Sequence, residues 1–263
     1  MAVRSRGLKQ VSASLLQRAA RAAGYELIPS WRFDHLGFAT HLRDLFNRLG
    51  VDCVLDVGAN HGQYGRFLRT EVGYTGYIAS FEPQSAALKQ LRERTSSDSR
   101  WKIFGMALGR ETGDLPLNVM QESAFTSFLN PDPSAVPTLA QLNSVVQVET
   151  VPVKRLDDVM GEVQAGSACR SIYLKLDTQG YDLEVIKGAS ATLPLVAALQ
   201  TEVSVLPIYR GMPNWLTSLQ TLKEHSFDVT ALFPVSQDPG LRVVEFDCVA
   251  VNSAFRRRND LPR

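Results

Sequence analysis

The stretch V-L-D-V-G-A-N-H-G-Q-Y-G, residues 54–65, joins an apolar run to three closely spaced glycines. An apolar strand that ends in a glycine-rich turn and leads into a helix places backbone N–H groups and a helix N-terminus beside a ligand. The stretch therefore predicts an α/β sheet with a nucleotide-type site at the end of its first strand.

The glycine spacing separates two kinds of ligand. The dinucleotide fingerprint is G-x-G-x-x-G, whereas Gly58, Gly62 and Gly65 are spaced four and three apart. Asn60 takes the place of the second glycine, where a pyrophosphate needs the closest backbone approach, so NAD is disfavoured. Asp56 would repel phosphate and attract an ammonium group such as that of S-adenosylmethionine. The alternative is that Asp56 only caps neighbouring N–H groups.

A second acid follows in F-E-P, residues 81–83. Glu82 lies 24 residues beyond Gly58, near the distance at which an acid accepts hydrogen bonds from ribose hydroxyls. Pro83 ends the strand and starts the next helix. Glu82 alone fits a helix-entry carboxylate, but two acids at the ends of adjacent strands favour a methyl-donor site.

Composition agrees with a globular chain, because 44% of the 263 residues are hydrophobic. The net charge of +1 gives no reason to expect a nucleic-acid partner. From residue 51 onward, short apolar runs alternate with helical periods, which is typical of a parallel sheet covered on both faces. The predicted strands are 51–57, 76–82, 101–107, 171–177, 197–205, 226–233 and 243–252, and the predicted helices are 62–71, 84–95, 181–192 and 214–225.

Three further regions complete the predicted organisation. Residues 1–50 form a helical extension, with a basic amphipathic helix at 3–24 and a second helix at 25–50. The basic helix would pack on the domain or a second subunit, as in a homodimer, or lie on an anionic membrane surface. Residues 51–255 form the main domain. Within it, 108–170 is expected to be an irregular insertion that shapes the acceptor site, with 145–153 as an exposed strand.

The cysteines and the hydropathy bear on the compartment. Cys53, Cys169 and Cys248 are odd in number and widely spaced, which fits reduced core thiols. Neither a membrane span nor a signal peptide is expected, because no apolar stretch approaches the roughly 18 residues that a span needs. The cytoplasm is the expected location.

Four motifs in order resemble the FkbM family of S-adenosylmethionine-dependent methyltransferases. They are D-V-G-A-N-H-G-Q-Y (56–64), F-E-P (81–83), L-K-L-D-T-Q-G-Y-D-L-E-V-I-K-G-A (174–189) and T-E (201–202). The resemblance implies the class I methyltransferase fold, a Rossmann-like sheet of seven strands. It also implies methylation of hydroxyl groups on sugars, glycolipids, polyketides and related natural products.

The same resemblance implies a set of cofactor-binding residues. It places the glycine turn at the methionine end, Glu82 with Pro83 at the ribose, and Ala107 near the adenine. Ser127 and Phe128 would border the cofactor or the acceptor, and Tyr64 would reach the cofactor from the first helix. The residues at the methionine end are Asp56, Gly58, Ala59, Asn60 and Gly62. In place of the family's usual D-x-E-G-x-E, this chain has Gln179 where a glutamate is common.

The acceptor hydroxyl needs help to lose its proton, because its pKa lies far above 7. Asp177 ends the fourth predicted strand and Glu202 lies within the fifth, and both are the first candidates for a base; the alternative is that one of them only caps the following helix. Together they would also offer oxygen ligands to Mg²⁺. His61 in the glycine loop is a third candidate, or only a solvent-facing imidazole. Lys175 is expected to be an ion-pair partner rather than a base.

Two other functions are weighed against O-methylation of a sugar. An NAD(P)-dependent oxidoreductase or a nucleotide-sugar enzyme on a similar sheet is disfavoured by Asp56, by the glycine spacing and by the lack of a Y-x-x-x-K pair. A non-catalytic cofactor-binding scaffold remains the other alternative. The expected acceptor is a sugar in a glycan, a glycolipid or a glycosylated natural product.

Overall fold

A computed structural model describes residues 33–134 and 136–258, together with Arg18, Ala20, 22–25 and Leu27. The chain divides into two compact units, Met1–Leu42 and Arg43–Arg263. Most of the basic segment 3–24 lies outside the described residues, so its membrane or subunit contact stays a prediction. The domain boundary near residue 50 likewise stays a prediction.

The helices follow the predicted order with some differences in length. The predicted 25–50 helix is described only from Phe33 onward, and the 62–71 helix changes to a π-helical turn at Leu68–Val72. The predicted 181–192 helix already ends at Lys187. The helices are α1 (Phe33–Leu49), α2 (Gln63–Phe67), α3 (Ser85–Thr95), α4 (Leu156–Gln164), α5 (Asp182–Lys187), α6 (Trp215–Glu224) and α7 (Ser253–Arg258).

The strands form two sheets. They are β1 (Cys53–Val57), β2 (Tyr77–Phe81), β3 (Trp101–Phe104), β4 (Ala107–Leu108), β5 (Gly113–Met120), β6 (Val145–Lys154), β7 (Ile172–Leu176), β8 (Val196–Ser204), β9 (Phe227–Gln237) and β10 (Val243–Asn252). The large sheet has seven strands in the order β3-β2-β1-β7-β8-β10-β9, with β10 antiparallel to both neighbours. The predicted α/β class I methyltransferase fold is confirmed.

The central strands form because their side chains are buried on both faces of the large sheet. Every residue of β1, β2 and β7 is buried, as the near-continuous apolar runs of parallel strands require. Phe81 of β2 stacks on Phe104 of β3 with ring centroids 4.8 Å apart. The core therefore lies along both faces of these strands.

The expectation of an irregular 108–170 segment is wrong in part. The small sheet, in the order β4-β6-β5, and helix α4 give regular structure to both ends of the segment, whereas the described residues of 121–144 contain only two short 3₁₀ turns. Helix α4 forms because Leu156, Val159, Met160 and Val163 recur at helical spacing, and all four are buried. The predicted exposed strand at 145–153 is confirmed as β6.

The strand order places a cleft at the carboxyl ends of β1 and β7. Successive strands run to one side from β1 through β2 to β3, and to the other side from β7 to β8. Ligands bind parallel α/β sheets where the strand order reverses in this way. Of the described helices, none has the length and apolarity needed to cross a membrane.

Candidate active site

A pocket with a volume of about 140 Å³ opens at the carboxyl ends of β1, β2, β7 and β8. It brings together most of the site residues predicted from the sequence. Those that line it are Gly58, Asn60, Glu82, Pro83, Ala107, Ser127, Asp177 and Glu202. Those that lie outside its lining are Asp56, Ala59, His61, Gly62 and Tyr64.

The glycine turn runs tightly against β7. Gly58 has a φ of 77°, and a Cβ added there would lie 1.9 Å from the carbonyl oxygen of Asp177. Only glycine fits such a position without strain. The turn is also tied to β2, because the N–H groups of Gly58 and Ala59 donate to the carbonyl of Phe81 at 3.0 and 3.1 Å. The glycine turn at the floor of the pocket is therefore held in place by contacts that join β1, β2 and β7.

Glu82 is held in place by the backbone of its neighbours. Its Oε2 accepts a hydrogen bond from the Asn60 N–H at 2.7 Å, and its Oε1 accepts one from the Gln84 N–H at 2.8 Å. Burial raises the pKa of Glu82 to about 7, although the two N–H donors act in the opposite direction. Each carboxylate oxygen keeps a further lone pair that can accept from a ribose hydroxyl.

Asp56 lies inside the sheet, with no exposed surface. Ser80 Oγ donates to its Oδ2 at 2.8 Å, and the Lys175 ammonium lies 3.2 Å from its Oδ1. The ammonium group facing Asp56 is thus one that the protein itself provides. A direct contact between Asp56 and the cofactor stays a prediction.

The Lys175 ammonium group pairs with two acids, Asp56 of β1 and Asp177 directly after β7. Its Nζ lies 3.2 Å from Asp56 Oδ1 and 3.2 Å from Asp177 Oδ2, and it donates to the Gly58 carbonyl at 3.1 Å. Burial alone would lower the pKa of Lys175, but the carboxylates of Asp177 and Asp56 outweigh it and raise the pKa. The expected ion-pair role of Lys175 is confirmed.

Asp177 and Glu202 meet through a side chain that the sequence did not single out for this role. The Nε2 of Gln179 donates to Asp177 Oδ1 at 3.0 Å and to Glu202 Oε2 at 2.7 Å. The Gln179 backbone has a φ of 53°, which is rare for a residue with a side chain. The two predicted acids therefore belong to one hydrogen-bonded group.

Further carboxyl groups surround Glu202. Burial, followed by repulsion from Asp177 and then Glu245, raises the pKa of Glu202 well above its ordinary value. Burial also raises the pKa of Glu245 to about 7 and that of Asp247 to about 6. Glu202 is therefore more basic than an ordinary glutamate.

A second polar network, which the sequence analysis did not predict, connects Tyr64, Gln200 and Asp247. The Tyr64 hydroxyl donates to Gln200 Oε1 at 2.6 Å, and Gln200 Nε2 donates to Asp247 at 2.7 Å. The Tyr64 ring lies 5.2 Å from Lys175 Nζ. Gln200 and Asp247 come from distant parts of the chain, so no local pattern signals their pairing.

His61 lies at the edge of this arrangement. Partial burial and the nearby Arg94 guanidinium lower the pKa of its imidazole. Arg94 also donates to the His61 carbonyl at 3.1 Å. Since His61 is outside the pocket lining, Asp177 and Glu202 are better placed as candidates for the base.

The segment that follows β5 covers the pocket. Ser123 Oγ and Asn60 Nδ2 lie 3.2 Å apart, which joins this segment to the glycine turn. Ser127 Oγ donates to the Gln179 carbonyl at 2.7 Å. The Phe128 ring packs against that of Tyr181, with centroids 4.8 Å apart. Ser127 thus fixes the pocket cover to the turn that carries Asp177 and Gln179.

The pocket walls suit S-adenosylmethionine. The ionisable side chains among its described lining residues are Glu82, Asp177 and Glu202, so these lining residues include acids and no basic side chain. Leu108 and Leu117 add apolar surface on the side of Ala107. Carboxylates attract the cationic cofactor and repel a diphosphate.

The donors fit Mg²⁺ poorly. Within the described part of the chain, no group of three or more His, Cys, Asp or Glu side chains is placed to hold a metal ion. Between Asp177 and Glu202 stands the amide nitrogen of Gln179, which is a hydrogen-bond donor and not a metal ligand. The magnesium expectation is not supported.

Comparisons with known proteins agree with this geometry. The family model described as the methyltransferase FkbM domain matches residues 56–229. The chain is 27% identical over 188 residues to the 2-O-methyltransferase NoeI of Sinorhizobium fredii (strain NBRC 101917 / NGR234), covering 69% of this chain and 74% of that protein.

Solved structures of similar fold have much lower identity. Magnesium protoporphyrin IX methyltransferase (ChlM) of Synechocystis PCC 6803, solved with bound SAM, is 10% identical with a TM-score of 0.43, covering 90% of this chain and 91% of that one. A SAM-dependent methyltransferase of Aquifex aeolicus is 13% identical with a TM-score of 0.37, covering 85% and 94%. The family match, rather than these likenesses, shows which family the chain belongs to. The chain belongs to the FkbM family of S-adenosylmethionine-dependent methyltransferases.

Proposed function

We propose that this protein transfers a methyl group from S-adenosylmethionine to a hydroxyl oxygen of a carbohydrate. The acceptor sugar would belong to a glycan, a glycolipid or a glycosylated natural product. One observation carries the proposal: Glu82 and Asp177, which follow β2 and β7, and Glu202 of β8 line one pocket. The similarity to a 2-O-methyltransferase supports oxygen as the acceptor atom.

The cofactor end of the pocket would bind by charge and shape. Bound S-adenosylmethionine supplies a methyl group already activated on a positively charged sulfur. Glu82, fixed by the Asn60 and Gln84 N–H groups, would accept hydrogen bonds from the ribose hydroxyls. Leu108 and Leu117 would contact the adenine. The protein's own task is then to align the acceptor and exclude water.

The acid pair would take up the proton of the acceptor hydroxyl. Glu202 is the favoured base, because burial and repulsion by Asp177 raise its pKa and make it a stronger proton acceptor. Asp177 would accept a hydrogen bond from the same hydroxyl and orient it. Both groups line the pocket, and this route needs no metal ion.

Location and partners belong to the same proposal. Cys53, Cys169 and Cys248 are all free and buried, which supports a reducing compartment such as the cytoplasm. The basic segment 3–24 would provide a peripheral membrane contact or a homodimer contact. A nucleic-acid partner is not proposed, since the net charge is only +1.

The first experiment measures cofactor choice by calorimetry. We expect S-adenosylmethionine to bind and NADH not to bind, because the pocket lining is acidic. Glu82→Gln should weaken S-adenosylmethionine binding by about 10- to 100-fold, the scale of a hydrogen bond to a charged group. The matched control is Glu93→Gln, at an exposed position of α3, which should bind like the wild type. Tight NADH binding without S-adenosylmethionine binding would overturn the proposal.

The second experiment tests the acceptor. The protein is incubated with labelled S-adenosylmethionine and a set of glycans and glycolipids, and methyl ethers are identified by mass spectrometry. Methylation at a sugar hydroxyl is expected, with a large loss in Glu202→Gln. Label found only on nitrogen or carbon atoms would contradict O-methylation.

A further inference from the structure

Gln179 occupies the space between the two acids of the active site. Its Nε2 is 3.0 Å from Asp177 Oδ1 and 2.7 Å from Glu202 Oε2, and its side chain is largely buried. An amide nitrogen carries two N–H donors. Each donor therefore has one carboxylate as its partner.

The two carboxyl groups set the orientation of this amide, and Tyr209 borders its other side. The Tyr209 hydroxyl, which is fully buried, lies 2.8 Å from Gln179 Oε1 and 2.7 Å from the Phe125 carbonyl, and its single proton can be donated to one of these oxygens. Turning the amide over would place its oxygen against Asp177 Oδ1 and Glu202 Oε2 and take its N–H donors away from both. The hydrogen bonds to the two acids thus favour the observed orientation.

The backbone of Gln179 is held as firmly as its side chain. Its carbonyl accepts a hydrogen bond from Ser127 Oγ at 2.7 Å, and its φ of 53° lies in the left-handed region. Such a conformation costs free energy and persists only where the surroundings impose it. Contacts from the pocket cover and from Tyr209 thus converge on one side chain that touches both acids.

We propose that Gln179 is a positioning residue that holds Asp177 and Glu202 together in the place a divalent cation would take. A cation shared by two carboxylates would lie between their oxygens, and the amide nitrogen already lies there. The inference rests on the proposed function only in treating these two acids as the methyl-transfer site. It deepens that function by assigning the acid pair a neutral amide bridge instead of a metal ion.

The proposal predicts that replacing the amide nitrogen of residue 179 with an oxygen creates a metal site. Gln179→Glu keeps the shape of the side chain, removes both N–H donors and brings a third carboxylate to Asp177 and Glu202. Three carboxylates converging on one point are the ligands that hard divalent cations prefer. Gln179→Ala removes the bridge without adding charge. Its affinity for such a cation should therefore lie between that of the wild type and that of Gln179→Glu.

The experiment titrates Mn²⁺ into the purified full-length protein and follows binding by electron paramagnetic resonance and calorimetry. Gln179→Glu should bind one Mn²⁺ at least tenfold more tightly than the wild type, and adding Glu202→Gln should abolish the gain. Gln220→Glu is the matched control, because Gln220 also donates to one carboxylate, that of Glu224, but on an exposed helix. It should behave like the wild type.

Two results would overturn the proposal. In the first, the wild type binds Mn²⁺ as tightly as Gln179→Glu does, and Glu202→Gln loses this binding. The amide would then not exclude the ion. The other is no gain in either Gln179→Glu or Gln179→Ala. No acceptor is needed for this titration, so its failure is distinct from an absence of methyl transfer, which the acceptor experiment measures separately.

Discussion

At the scale of single residues, the site depends on one buried cation shared by two acids. Lys175 is 3% exposed and Asp56 is 0% exposed, and Ser80 Oγ donates a hydrogen bond to Asp56 Oδ2. Removing one partner of a buried ion pair leaves the other charge without compensation. The stability of the β1–β7 junction therefore depends on this pair.

Lys175→Met should lower the free energy of unfolding by about 3–5 kcal/mol, because Asp56 then stays buried without its cation. Urea denaturation measures the change. The double variant Lys175→Met with Asp56→Asn should recover part of the loss, since no uncompensated charge remains. A double variant less stable than Lys175→Met alone would show that the two side chains stabilise the fold independently.

At the scale of elements, helix α2 packs unusually close to strand β3. A Cβ added at Gly65 would lie 2.1 Å from Trp101 Cζ2. The Trp101 ring is fixed, because its Nε1 donates to Ser80 Oγ at 2.9 Å and Ser80 in turn donates to Asp56. Gly65, which lies within α2, is thus needed for packing between helix and strand rather than for the ligand.

Two alanine substitutions should therefore change stability in opposite directions. Gly65→Ala should destabilise by about 1–3 kcal/mol through overpacking against Trp101. Gly161→Ala should stabilise by up to about 1 kcal/mol, because Gly161 lies in α4 with no heavy atom within 4 Å of an added Cβ. Thermal and urea unfolding measure both. Equal effects of the two changes would contradict the packing role of Gly65.

At the scale of the whole molecule, several buried carboxyl groups hold protons more tightly when the protein is folded. Burial raises the pKa of Glu82 and Glu245 from 4.5 to about 7 and that of Asp247 from 3.8 to about 6. A folded state that binds more protons than the unfolded state loses stability as the pH rises. The stabilising contribution of these groups is complete below their ordinary pKa values and is lost as the pH rises through about 6 to 7.

The free energy of unfolding should therefore fall as the pH rises from about 5 to about 7. His61, with its lowered pKa, acts in the opposite direction, but more groups have raised values. Glu245→Gln should flatten the slope, as measured by urea denaturation across this range. Glu224→Gln, at an exposed helix position, serves as the control and should keep it. A wild-type stability that increases steadily up to pH 7 would contradict the raised pKa values.

The sequence predicted what local patterns can encode. Apolar runs with acids at or near their ends predicted that Glu82, Asp177 and Glu202 meet in one cleft, and all three line the pocket, while their chemical roles stay predictions. Helix α4 was missed although its apolar spacing was visible, because the surrounding segment was interpreted as a loop. The bridge formed by Gln179 and Tyr209 was not predictable, since it depends on side-chain geometry between residues 30 positions apart.

Among the described strands, those of the small sheet β4-β6-β5 pair only with one another and not with the seven-stranded sheet. Replacing the loop between β5 and β6 should therefore leave the strand register under Glu82, Asp177 and Glu202 unchanged. The strands of the small sheet would have to be kept, because Leu108 of β4 and Leu117 of β5 line the same pocket. A protein engineer seeking a new acceptor can graft a different cover onto this scaffold, provided that the serine contact to Gln179 is retained.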